Sequence, residues 1–141
     1  MFKIASHWIS KNHDKKKQRL DRLHNKYKYK NHENFLIAKS ARKTVRYIER
    51  NTISFPNTYK VLRNNIISSC YNILENIYRA NIFQEVNDKK EIVVSIQMLN
   101  FYLEEALRKE LINNKKFESY INHLLELDKM VRSWFYYEKS V

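Results

Sequence analysis

The sequence predicts an all-α protein, folded as an antiparallel, up-down-up-down four-helix bundle with a basic arm before it. The chain of 141 residues has no Gly and a single Pro, Pro56, so its backbone rarely needs a positive φ or a fixed kink. Apolar residues recur at a helical period of about 3.6 in four stretches. Short connections place consecutive helices antiparallel. We expect residues 1–32 to form the arm and 33–141 the bundle domain.

The N-terminal arm is distinguished by its basic residues. Residues 14–25 can form a helix, but its apolar face is thin and the run of lysines at 15–17 repels itself. Residues 26–30 alternate Lys with Tyr, a pattern that lets bases stack on rings while ammonium groups meet phosphates. The alternative is a disordered basic tail.

The first helix of the bundle is predicted over Glu33–Asn51. One face is apolar and the others are basic. The apolar face holds Phe35, Ala38, Ala41, Val45 and Ile48. A turn is expected over Thr52–Asn57, because Pro56 disfavours helical backbone at Phe55 before it.

The second helix is predicted over Asn57–Phe83 and has two neighbouring apolar stripes. So wide an apolar arc predicts packing against at least two other helices. The first stripe consists of Leu62, Ile66, Cys70, Ile73, Ile77 and Ala80, and the second of Ile67, Tyr71, Leu74 and Tyr78.

The third and fourth helices have the same spacing of apolar residues. The third is predicted over Asp88–Ile112, closed by Asn113 and Asn114, and the fourth over Lys115–Tyr137. The third helix should bury Ile92, Ile96, Leu99, Leu103 and Ala106, with Leu107 and Leu111 beside them. The fourth should bury Tyr120, Leu124, Leu127, Val131 and Trp134, flanked by Phe117, Ile121, Leu125 and Phe135.

The net charge of +12 is concentrated at the start of the chain. Residues 1–30 hold ten Lys/Arg against two Asp/Glu, residues 31–60 six against two, and residues 61–141 eleven against eleven. Clustered cations attract phosphates and release their counterions, so nucleic acid is the favoured partner. The alternative is that the charge serves solubility alone.

The residues expected to contact RNA phosphates, or an acidic face of a partner protein, come from the first helix and the arm. Their role would be to position the nucleic acid. They are Lys39, Arg42, Lys43, Arg46 and Arg50 of the helix, supported by Lys15, Lys16, Lys17, Arg19, Lys28 and Lys30 of the arm. The alternative for the helix is a solvated outer face.

Catalytic and metal-binding patterns are lacking in the sequence. The five histidines have no His-x-x-x-His spacing, and without Gly there is no Gly-rich phosphate loop. Cys70 falls on an apolar face, where a thiol behaves as a small core residue. We expect no enzyme activity, metal or cofactor. A single Cys and the lack of a long apolar run suit a cytoplasmic protein outside the membrane.

One short pattern suggests a different function. Arg19 and His24 have the Arg-x-x-x-x-His spacing, which resembles the motif of the all-helical HEPN ribonucleases. Such a pair would stabilise and protonate a phosphodiester during cleavage. In those enzymes the motif lies on a packed helix late in the bundle, whereas here it precedes the bundle. A third alternative is a structural bundle that binds a partner protein only.

The order of several residues resembles the accessory protein Avd of diversity-generating retroelements. The likeness begins with Phe55-Pro56, Tyr59, Leu62, Asn64-Asn65-Ile66, Ile73-Leu74-Glu75 and Tyr78-Arg79-Ala80-Asn81. It continues through Leu99, Leu103, Leu111, Lys116-Phe117 and Tyr120 to the closing Leu127-Asp128-Lys129-Met130-Val131-Arg132-Ser133-Trp134. It covers roughly residues 33–137, and extends more loosely to the four-helix-bundle proteins of intervening sequences in bacterial 23S rRNA genes.

The resemblance implies a four-helix protomer that assembles into a basic homopentameric barrel. In the Avd family that barrel binds the retroelement reverse transcriptase and its template RNA, which supports mutagenic cDNA synthesis. This chain differs from the family at Arg132, where a Gly is usual close before the final Trp, and its residues 1–32 have no counterpart in the family.

Overall fold

Every regular element of the described structure is helical. The computed structural model describes residues 14–19 and 32–139, with the backbone alone at 32–35 and 135–139. Four long helices follow a short helical stretch at residues 14–19, and a single 3₁₀ turn lies between the first two. They are α1 (His32–Thr52), α2 (Lys60–Phe83), α3 (Val86–Arg108) and α4 (Asn114–Lys139), with the 3₁₀ turn at Asn57–Tyr59. The predicted all-α class is confirmed.

Each long helix packs against two others. α1 contacts α2 and α4, and α3 contacts the same two helices. Their apolar faces meet in one core, because each face is too apolar to be left in water. The core side chains of α3 and α4 are the ones predicted: Ile92, Ile96, Leu99, Leu103 and Ala106, then Tyr120, Leu124, Leu127, Val131 and Trp134.

The two stripes of α2 differ in burial. Ile66, Cys70, Ile73, Ile77 and Ala80 of the first stripe are buried, and Leu62 is half-buried. The second stripe is less buried: Leu74 and Tyr78 are half-buried against the core, Ile67 is half-buried, and Tyr71 is exposed. On α1, Ala38, Ala41, Val45 and Ile48 are buried as predicted. The side chains of Phe35 and Phe135 lie outside the described residues.

The end of α3 was predicted wrongly. The helix ends at Arg108 rather than at Ile112, because Glu110 takes a left-handed conformation with φ of 59°. The N–H of Glu110 donates to the carbonyl of Leu107 at 3.0 Å, and the N–H of Leu111 donates to that of Ala106 at 2.9 Å. This bond pair is a Schellman motif, which usually has Gly at the left-handed position.

The other helix boundaries lie close to their predicted positions. α1 extends one residue beyond each predicted end. Pro56 precedes the 3₁₀ turn from which α2 continues, so the break at Phe55-Pro56 is confirmed. α2 closes at Gln84, a second residue with left-handed backbone, with φ of 57°. None of the described helices combines the length and the apolarity needed to cross a membrane.

Candidate nucleic-acid interface

The predicted cations of α1 form one continuous stripe. Lys39, Lys43, Arg46 and Arg50 are all exposed, whereas Arg42 is half-buried at the edge. With about 3.6 residues per turn, the four exposed side chains fall within an arc of about 60° and extend over about 16 Å of helix. The sequence prediction therefore identified side chains that share one face.

Most cations of the stripe have no carboxylate partner among the described residues. Four ion pairs of the described bundle lie elsewhere, between Glu75 and Arg79, Glu105 and Arg108, Glu105 and Lys109, and Asp128 and Arg132. Within the described part of the chain, Arg42, Lys43, Arg46 and Arg50 form no ion pair with a carboxylate. The positive potential at these four residues is consequently little reduced by internal pairing.

Glu49 lies at the edge of the stripe that faces α2. The hydroxyl of Tyr71 in α2 donates to Oε2 of Glu49 at 2.7 Å. This hydrogen bond, with the negative charge behind it, raises the pKa of Tyr71, and the nearby guanidinium of Arg46 opposes the rise. The carboxylate of Glu49 is thus already hydrogen-bonded to α2.

A polar cluster lies at the opposite edge, where α1 meets α4. The Tyr47 hydroxyl and Oγ of Ser119 share a hydrogen bond of 2.9 Å. The His123 ring stacks on the Tyr47 ring, with centroids 4.8 Å apart and planes at 20°. The Arg50 guanidinium lies 6.0 Å from the Tyr47 ring centroid. Tyr47 of α1 therefore contacts two residues of α4, and Arg50 lies beside the Tyr47 ring.

One further contact joins the same two helices nearer to the end of α1. Nζ of Lys116 donates to Oδ1 of Asn51 at 3.2 Å, and Nδ2 of Asn51 donates to the Tyr47 carbonyl at 2.7 Å. Lys116 is exposed and has a neutral partner. We call Tyr47, Arg50, Lys116, Ser119 and His123 the α1–α4 cluster.

Sequence reasoning missed the α4 side of this cluster. The signal available was the spacing of Lys116, Ser119 and His123, which at intervals of three and four residues form a polar stripe on one face of α4. That stripe is hard to recognise as part of an interface without knowing which helix packs beside it. Tyr47 was overlooked because it adjoins the apolar positions of α1.

The structure describes only some of the basic residues of the arm. Lys15, Lys16, Lys17 and Arg19 are helical and exposed. Lys28, Lys30 and the His24 of the ribonuclease-like motif lie outside the described residues, so the ribonuclease alternative stays a prediction.

The burial of Cys70 decides whether its thiol can act as a nucleophile. Its side chain is 1% exposed, and burial raises the pKa of the thiol to about 12. The charge of nearby Glu49 acts in the same direction. A thiol so far from ionisation is a packing residue rather than a nucleophile. Among the described residues, no group of three or more His, Cys, Asp or Glu is arranged to hold a metal.

We compared the sequence with protein families and with curated proteins. No protein-family model matches the sequence, and no curated protein matches it. The similarity to Avd therefore rests on the order and spacing of the residues quoted above.

Proposed function

We propose that this protein is a non-catalytic RNA-binding accessory protein, which supports a reverse transcriptase of a diversity-generating retroelement during mutagenic cDNA synthesis. The observation that carries the proposal is the basic stripe of α1, in which Lys43, Arg46 and Arg50 are exposed and form no ion pair with a described carboxylate. The retroelement and its reverse transcriptase come from the resemblance to Avd.

The geometry of the stripe favours a phosphate backbone as its ligand. Its four exposed cations share one face and lie one helical turn or less apart. At about 16 Å it is long enough for several successive phosphates, since a strand of a duplex rises about 3.4 Å per nucleotide. Lys43, Arg46 and Arg50 have no described carboxylate partner, so they gain most from a polyanion, because binding releases counterions and breaks no internal ion pair.

We infer an antiparallel four-helix bundle as the protomer. Contacts between α1 and α4 run in opposite directions along the two helices: Asn51 meets Lys116, whereas Tyr47, one turn earlier, meets Ser119 and His123. At the other end of α4, Nζ of the buried Lys89 from the first turn of α3 lies 4.5 Å from the Trp134 ring centroid. Both relationships are those of antiparallel neighbours.

Self-association is proposed through the outer faces of α2 and α3. Val94, Met98 and Phe101 lie at intervals of four and three on α3, and they are 56%, 43% and 51% exposed. The end of α2 adds the exposed Ile82 and Phe83, and the first residue of α3 adds the exposed Val86. Exposed apolar side chains grouped on one helix face in this way favour an interaction site. The homopentamer implied by the resemblance would cover such a surface with neighbouring copies.

The first experiment measures RNA binding of the full chain across a salt series, with its mass followed by light scattering. We compare wild type with Lys43→Glu/Arg46→Glu, two exposed positions of the stripe. The matched control is Lys90→Glu/Lys115→Glu, which makes the same change in net charge at exposed positions on α3 and α4.

A stripe that binds RNA gives a steep wild-type salt dependence. The stripe variant should reduce the slope of log K against log salt by about 1.4, since each phosphate contact to a single strand contributes about 0.7. The control variant should show a far smaller reduction in RNA affinity and in this slope. Equal losses in both variants would indicate non-specific attraction, and a wild type indifferent to RNA would overturn the proposal.

The partner protein requires its own test. The gene should lie beside a reverse transcriptase gene and paired template and variable repeats. We would co-purify the two proteins after nuclease treatment, using the stripe variant and its control. Retention of the reverse transcriptase after RNA is removed supports direct binding. If no reverse transcriptase gene lies beside this gene, the retroelement is removed from the proposal.

A further inference from the structure

The α1–α4 cluster combines cations with an imidazole whose tautomer can be assigned. Nδ1 of His123 lies 2.8 Å from the carbonyl oxygen of Ser119, four residues earlier in α4. A carbonyl oxygen only accepts hydrogen bonds, so Nδ1 carries the proton. In the neutral ring Nε2 then holds a lone pair, and no described residue donates a hydrogen bond to it.

We propose that the α1–α4 cluster is a ribose-reading site, in which Nε2 of His123 accepts the 2′-OH of an RNA nucleotide whose phosphate lies against Lys116 and Arg50. This inference rests on the proposed RNA binding and adds to it the ability to distinguish RNA from DNA. The 2′-OH is the group by which a protein makes that distinction.

The two cations of the cluster suit a phosphate. Lys116 is hydrogen-bonded to the neutral amide of Asn51, and Arg50 lies beside the neutral ring of Tyr47. Neither forms an ion pair with a carboxylate of the described residues. A phosphate that approaches them therefore breaks no salt bridge. Arg50 also ends the basic stripe of α1, so a strand bound along the stripe leads to the cluster.

The His123 ring is fixed on two sides, which gives its acceptor a defined direction. The bond from Nδ1 fixes the edge of the ring, and stacking on Tyr47 fixes its plane. Tyr47 is itself held by Ser119, one turn before His123. An acceptor fixed before binding loses little entropy when the 2′-OH arrives.

The ligand would be a single strand. In a duplex the 2′-OH groups line the wide, shallow minor groove, which is read mostly by shape across many base pairs. A flexible strand can instead place one sugar against one imidazole while its neighbouring phosphates follow the stripe. The probe is accordingly a single-stranded RNA and the single-stranded DNA of matching sequence, with uracil in both.

The test compares the ratio of RNA affinity to DNA affinity in four variants of the full chain. His123→Asn keeps a donor for the Ser119 carbonyl and removes the Nε2 acceptor, whereas His123→Phe keeps the stacking on Tyr47 and removes both nitrogens. Lys116→Gln removes one cation of the cluster. Lys115→Gln is its matched control, since Lys115 is an exposed neighbour outside the cluster.

We expect wild type to prefer RNA by about fivefold, the contribution of one hydrogen bond, and both His123 variants to bind the two strands equally. Lys116→Gln should weaken the binding of both strands and lower the slope of log K against log salt by about 0.7. Lys115→Gln should show no such change. Thermal unfolding of each variant separates these effects from loss of the fold.

Two results would overturn the inference while leaving the proposed function in place. One is a wild type that binds RNA through the stripe without preference over DNA. The other is an RNA preference that persists in both His123 variants. Failure to bind either strand would instead overturn the proposed function itself.

Discussion

The ring of Tyr120 in α4 meets the ring of Tyr47 in α1 edge-on, with centroids 5.3 Å apart and planes inclined by 69°. Tyr120 is fully buried, whereas Tyr47 is half-buried in the α1–α4 cluster. The buried ring of Tyr120 therefore packs against the ring of Tyr47 and supports it. Any shift in Tyr120 should move Tyr47, and with it the stacked His123.

Tyr120→Phe should stabilise the protein. The Tyr120 hydroxyl is buried and has no hydrogen-bond partner among the described residues. Phe keeps the edge-on contact and removes the unsatisfied group, whose burial costs about 1–3 kcal/mol. We expect a gain of about 1 kcal/mol in urea unfolding at pH 7. A loss of that size would mean that the hydroxyl has a partner, and Tyr102→Phe at a half-buried position is the control.

The same substitution should alter the response to alkaline pH. Burial, with the neighbouring Tyr47 as a smaller cause, raises the pKa of Tyr120 to about 12 from 10.0. The unfolded chain therefore releases this proton at a lower pH than the folded protein does. The stability that depends on a protonated Tyr120 is intact below pH 10 and is lost as the pH rises towards 12.

Urea unfolding at pH 9 and pH 11, for wild type and Tyr120→Phe, measures this effect. Stability should fall further in wild type, by about 1.3 kcal/mol, because pH 11 lies about one unit above the unfolded pKa and one unit corresponds to about 1.4 kcal/mol. The other ionising groups are common to both proteins and cancel in the difference. Parallel pH dependences would contradict the assignment.

Glu110→Gly should stabilise the chain, since Glu110 holds a left-handed conformation with φ of 59°. A residue with a Cβ loses about 1–2 kcal/mol there, part of which Gly recovers. We expect a gain of about 1 kcal/mol by urea unfolding. Glu110→Gln controls for the lost charge, and Glu104→Gly, within α3, should instead destabilise by about 1 kcal/mol. No gain in Glu110→Gly beyond that of Glu110→Gln would contradict the prediction.

The sequence predicted the core better than the helix ends or the site. Ile92 to Ala106 recur at helical spacing, so their burial follows from periodicity alone. The end of α3 could not be read the same way, because the left-handed residue is a Glu in a chain without Gly. The stripe of α1 lies within one helix and was found, whereas the α1–α4 cluster depends on which helix packs beside α1.

Cys70 should resist alkylation in the folded protein. Its burial and a thiol pKa of about 12 leave almost no accessible thiolate at pH 8. Labelling with iodoacetamide, followed by mass spectrometry, should be slow without urea and rapid in it. The unfolded sample is the control for reagent activity. Rapid labelling of the native protein would show that α2 opens at Cys70.

The apolar face of α3 gives the sharpest test of self-association. Met98→Glu with Phe101→Glu places two charges on this exposed face, where an oligomer interface would have to bury them. Light scattering should show a fall to the protomer mass, with little change in thermal unfolding of the isolated chain. Ile53→Glu with Leu125→Glu is the matched control, because both residues are exposed and apolar but lie outside α2 and α3. If instead the control dissociates and the α3 variant keeps its mass, the interface lies at Ile53 and on α4, and the proposed interface on α2 and α3 is wrong.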